Sequence, residues 1–243
     1  MERVRMARTI NQEDHAAKRS EILDAAQRLI TSKGYERMTI QDMLSDLGMS
    51  NGAFFHYFDS KPAVLEAIVE AGQDVAEKPI LALIQNPQLS ALEKLQGFFD
   101  LIDQARLAQR AMISELLPIW YADDNAIVRQ KIDDLIVHRR APLLNQIVQQ
   151  GIAEGVFSLP HPAQAGEIII ALGRAMSNSH AKLLLASLQT QDIQGCVEGI
   201  VEVYAAYMDA IERVLGAQQN SLLRVDAAIV RVWVAPQSDP SIE

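Results

Sequence analysis

Apolar residues recur along this chain at steps of three and four, a period that builds helices and leaves almost nothing from which to build a sheet. Ile22, Ala25, Ala26, Leu29 and Ile30 form one stripe of a helix near residues 18–33, and the "SKGY" that follows ends it with Gly34 suited to a left-handed cap. Thr39 opens "TIQD", an N-cap with Asp42 three residues on, and Ile40, Met43, Leu44 and Leu47 supply the next stripe before Gly48 closes it. Ser50 is placed to cap a third helix, and Ser60 a fourth that runs to about Lys78. Past the "NP" break at 86–87, Ser90 and Glu93 set another capping box ahead of Leu92, Leu95, Phe98, Phe99 and Ile102. Pro118 interrupts the next segment, and Pro142 should kink a long helix near 124–152. Helices near 163–187 and 192–215 follow, and "SLLRVDAAIVRVW" reads as one more, although "VRVWV" at 230–234 also alternates as a short strand would. The fold class expected is all-α.

Composition narrows the function classes. No apolar run approaches the ~18 residues of a membrane span, and the opening residues lack the apolar core of a secretory signal. The single cysteine, Cys196, excludes an internal disulfide and a cysteine-based zinc site. A cytoplasmic protein without a membrane partner is the expectation. The net charge of −9 is unevenly spread: residues 1–61 carry nine Lys/Arg and nine Asp/Glu, so all the excess acidity lies beyond them. A short neutral module with Arg3, Arg5, Arg8, Lys18 and Arg19 near its start, followed by an acidic body, implies two domains.

Aromatics are only 5% of the chain, yet four of them stand in "FFHYF" at 54–58, just behind "LGMSNGA". Two short helices joined by "GMSN" are a helix-turn-helix signal, the unit that lays its second helix in the DNA major groove. At about 100° per residue, Phe54 and Phe58 share an inward face, Gly52, Ala53 and His56 point the opposite way, and Phe55 and Tyr57 fall on the flanks. Ser50 caps this helix, and Lys61, at the start of the next one, adds a charge and backbone donors suited to a phosphate.

The segment 18–65, with its "ILDAAQRLITSKGYERMTIQDMLSDLGMSNGAFFHYFDSKPAVL", resembles the TetR family of bacterial transcriptional regulators. The shared features are a helix ending in "GY", a Thr cap, "LGMS", and the spaced "G-F-HYF-SK". The resemblance implies an N-terminal three-helix DNA-binding head at 18–65 behind a flexible basic arm at 1–17. It also implies a larger helical bundle at 66–243 that dimerises and holds a small effector. It further implies that Thr39 and Lys61 contact phosphates, Gln41 and Asn51 lie near base edges, and Tyr57 holds the DNA backbone. The chain departs from the family at Phe55, where Tyr is usual, so one hydroxyl that would face a phosphate is missing. The function implied is a sequence-specific regulator, a repressor released from a palindromic double-stranded operator by a small molecule, acting as a homodimer.

For the dimer seam, the last two long helices offer Gly166 and Gly173 on one face, and Val197, Ile200, Val203, Tyr204, Tyr207 and Ile211 at helical spacing. For the effector site, polar residues that interrupt apolar helices are the clues: Glu115, Trp120, Tyr121, Asn178 and His180. The ligand itself is not identified by them. Two other classes stand beside this reading, a DNA-binding protein without an effector and an all-helical enzyme. The five histidines have no metal-ligand spacing, and there is no G-x-S-x-G, P-loop or G-x-G-x-x-G, so no catalytic residue, metal or cofactor is expected. Cys196 on an apolar stripe reads as an inert thiol.

Overall fold

The structure, a computed structural model, describes residues 2–108 and 117–234. Those residues form helices α1 (Glu2–Lys33), α2 (Ile40–Leu47), α3 (Asn51–Phe55), α4 (Lys61–Gln85), α5 (Ala91–Ala108), α6 (Ala126–Ala153), α7 (Ala165–Thr190), α8 (Ile193–Leu215) and α9 (Ala227–Val234), with no strand among them. They divide into two compact units, Met1–Val75 with Ile119–Asp133, and Ala76–Pro118 with Asp134–Glu243.

Two boundaries differ from expectation. The segment 1–17 is not an arm apart from the first helix: α1 begins at Glu2, across a run rich in Glu, Arg, Met and Ala with neither Gly nor Pro to stop it. α4 continues through Pro79 to Gln85, because Ile80 and Ile84 on its last turns are buried in the second unit's core. "VRVWV" is helical in α9, where Val230 and Trp233, three residues apart, are the buried pair.

The first unit is built on local signals. Thr39 and Asp42 close a reciprocal capping box at the start of α2, and Gly48 ends that helix in the left-handed region. Gly34 has φ +84°, and a Cβ there would stand 2.6 Å from Asp124 Cβ, so both the turn and the close approach demand glycine. Residues 119–125 are stitched to this turn. Buried Asn125 accepts from Tyr35 N–H at 2.9 Å and donates to the Ile119 carbonyl at 3.0 Å, while Glu36 N–H donates to the Asp124 carbonyl. Ile22, Ala26, Met43, Phe54, Phe58 and Leu65 fill the core between α1, α2, α3 and α4.

The second unit is a helical bundle whose centre is Leu95, Phe98 and Phe99 of α5, Leu144, Ile147 and Val148 of α6, Ile169 of α7, and Tyr204, Met208 and Ile211 of α8. α7 packs along α8, and α9 closes over α8 and α5. Part of the face read from the sequence as a dimer seam is used within the chain itself. Val197, Ile200, Tyr204 and Ile211 lie in the chain's own core, and Gly166 receives α6, where a Cβ would stand 2.2 Å from the Ala141 carbonyl oxygen. Cys196 is buried, and burial pushes its thiol above the ordinary range, so it is not poised as a nucleophile. No helix among the described residues is long and apolar enough to cross a membrane.

Candidate functional site

The first unit presents one polar face around α3. Ser50 Oγ accepts from Ala53 N–H at 3.3 Å and starts the helix, and Phe54 and Phe58 anchor it with fully buried rings. With that side committed to the core, Gln41, Ser50, Asn51, Gly52, Ala53 and His56 are all exposed. A Cβ on Gly52 would meet nothing within 4 Å. Internal packing therefore does not require glycine there, and the open backbone faces outward.

The flanks are more structured. Tyr57 is half-buried, with its ring 4.6 Å from that of His15 on α1, and its hydroxyl makes no hydrogen bond among the described residues. Phe55 is exposed beside it. Lys61 turns back over the Tyr35 ring, 4.2 Å from the centroid, and donates to the Glu36 carbonyl at 3.3 Å, leaving two of its three donors for another acceptor. Thr39 is exposed, and its hydroxyl is held by Asp42 at 2.6 Å. The ammonium of Lys33, then the Thr39 donors, hold the Asp42 carboxyl down at about 2, so the cap stays ionised at any physiological pH.

The residues expected to line a ligand site fall in both units. Trp120 and Tyr121 belong to the first unit, where Arg129 donates to the Trp120 carbonyl and lies over the Tyr121 ring. Asn178 is exposed on α7, and Glu115 lies outside the described residues. His180 lies behind Tyr204, a cavity-lining residue. It is buried, stacked on Tyr204 with the rings 8° from parallel, and neither ring nitrogen makes a hydrogen bond of normal geometry. Burial, and next the positive charge of Arg106, push its pKa down to about 4, against a smaller opposing effect of the Ile200 backbone.

Tyr204 lines a cavity of about 320 Å³ in the second unit, together with Asp100, Asp103, Leu107, Ile229 and Trp233. Asp103 is the polar centre of its wall. It accepts from the Tyr204 hydroxyl at 3.1 Å and pairs with Arg106 at 3.1 Å, and the Arg106 guanidinium also lies over the Trp233 ring. Burial pushes Asp103 above the usual aspartate range in spite of Arg106. The sequence reading missed Asp103 and Trp233. The signal available was that Leu95, Phe99 and Asp103 follow each other at steps of four, so a carboxylate continues an apolar ridge.

Comparison with known proteins matches residues 22–68 to the family described as bacterial regulatory proteins, tetR family. Residues 120–182 match the tetracyclin repressor-like C-terminal domain. The uncharacterized HTH-type transcriptional regulator YfiR of Bacillus subtilis is 23% identical over 212 residues, covering 85% of this chain and 97% of that protein. The HTH-type transcriptional repressor Rv1474c of Mycobacterium tuberculosis is 32% identical over 99 residues, which is 39% of this chain and 53% of the repressor. Among solved structures, SmeT in its triclosan complex superposes with a TM-score of 0.56 at 15% identity, covering 87% of this chain and 97% of that one, which speaks to the fold alone. Its helix-turn-helix head, its helical bundle and these relatives agree: the chain belongs to the TetR family of bacterial transcriptional regulators, not to a family of enzymes.

Proposed function

We propose that this protein is a transcriptional repressor that holds a palindromic DNA operator as a homodimer and releases it when a small molecule fills the cavity of the second unit. The observation that carries the DNA half is the division of α3: Phe54 is buried, while Asn51, Gly52 and Ala53 are exposed with open space over Gly52. A recognition helix needs this division, one face fixed by the core and one left small enough for base edges to come close. In this reading Gln41 and Asn51 meet base edges, His56 faces the groove, and Thr39, Tyr57 and Lys61 hold phosphates on either side. Residues 18–65 are the head and 66–243 the effector-binding and dimerising body, working in the bacterial cytoplasm.

The effector half is supported by the cavity between α5, α8 and α9, and by the fact that SmeT, similar in fold, was solved with a small molecule bound. A ligand changes operator affinity only by as much as it prefers one state of the protein over the other. The test begins with duplexes selected from a random pool by the full-length protein, followed by titration of the tightest across a salt series. Asn51→Ala should change which bases are preferred, whereas Lys61→Ala should weaken all duplexes alike and flatten the salt dependence by about one unit of slope. Unchanged base preference in the first and unchanged affinity in the second would remove α3 from the interface.

A further inference from the structure

We propose that the cavity between α5, α8 and α9 takes an organic cation, a protonated amine carried on an apolar, ring-bearing body. The inference rests on the effector reading for its regulatory meaning, but the chemistry comes from the wall itself. Of the three charged residues that line the cavity, two are carboxylates, Asp100 and Asp103. The third, Arg224, is already committed: it pairs with Asp209 and with Glu212, and donates to the Leu222 carbonyl. Asp103 shares Arg106 with the Trp233 ring and the Ser177 hydroxyl. Asp100 receives only the Gln96 side-chain amide, at 2.7 Å, with no cationic partner among the described residues. An anion entering here would meet two carboxylates while the guanidiniums are held elsewhere. A cation would meet a carboxylate that has no counterion and a second that is half-compensated.

The remaining wall sets the body of the ligand. Leu107, Val225, Leu223 and Ile229 are aliphatic, the last two exposed at the rim, and Tyr204 and Trp233 supply ring faces. Trp233 is 7% exposed, so its ring is held in the wall rather than turned out to solvent. The volume suits a molecule of one or two rings rather than a long lipid chain.

Three probes sharing one ring system test this on the full-length protein by calorimetry: naphthylethylamine as the cation, naphthylethanol as the neutral form and naphthylacetate as the anion. The cation should bind at least about tenfold more tightly than the other two. Asp100→Asn, at a half-buried position, should remove most of that preference without altering helicity by circular dichroism, and Asp103→Asn should do the same if it folds. Quenching of Trp233 emission should report the cation and vanish in Trp233→Phe. Equal binding of the anion, absence of cation binding at millimolar concentration, or an unchanged preference in Asp100→Asn would overturn the assignment. Each probe is then titrated against the selected operator complex. Cation binding without operator release would contradict the effector reading while leaving the ligand class standing. Operator release by the anion or the neutral probe alone would do the reverse.

Discussion

Gly52 separates the needs of the fold from the needs of binding more cleanly than any other residue. Since a Cβ there meets nothing within 4 Å, Gly52→Ala should leave the head folded and gain roughly 0.5–1 kcal/mol of helix stability, while weakening operator binding by crowding the groove. Thermal melting and operator titration together check this. Phe54→Ala is the opposite case: removing a fully buried ring should cost about 3–5 kcal/mol and unfold the small head, seen as lost helicity. His180 makes a third prediction through pH. Its pKa is about 4 in the fold and 6.5 unperturbed, so the unfolded chain takes up the proton first as pH falls. The stabilising effect of the neutral ring is therefore full above pH 6.5 and declines toward pH 4. Urea unfolding should show wild type losing roughly 2 kcal/mol more than His180→Gln between about pH 7 and pH 5.

At the scale of elements, the head was legible because its signals are local. The Thr39–Asp42 box, the Ser50 cap, the left-handed turns at Gly34 and Gly48, and the inward pair Phe54 and Phe58 each lie within a few residues of what they control. The cavity was not legible for the converse reason: Asp103 and Tyr204 are hydrogen-bonded across 101 positions, and no periodicity announces such a meeting. Trp233 was obscured by an alternation that a helix and a strand both satisfy over five residues. Pattern alone did not divide α8 between core and seam, because an apolar stripe looks the same whether its partner is the same chain or another. The stitching of residues 119–125 to the α1–α2 turn was likewise invisible, and it predicts that Asn125→Ala strands the buried Tyr35 N–H. A loss of about 1–3 kcal/mol is expected, and a melting curve unchanged from wild type would show that this turn is held by other contacts.

For the whole molecule, the distribution of charge supports the division of labour. The head carries no net charge and the rest of the chain carries −9, which disfavours non-specific coating of DNA and leaves the contact to a small, shaped face. Two heads on a palindrome require a dimer, so sedimentation without DNA should give about twice 26.9 kDa, and a monomer at micromolar concentration would contradict the assembly. The central claim, that the exposed side of α3 reads DNA sequence, is tested most directly by comparing the full-length protein's affinity for its selected duplex with that for a scrambled duplex of the same length, at physiological salt. The account predicts a preference of about a thousandfold or more, sharply reduced by Asn51→Ala. Equal affinity for both duplexes would contradict it.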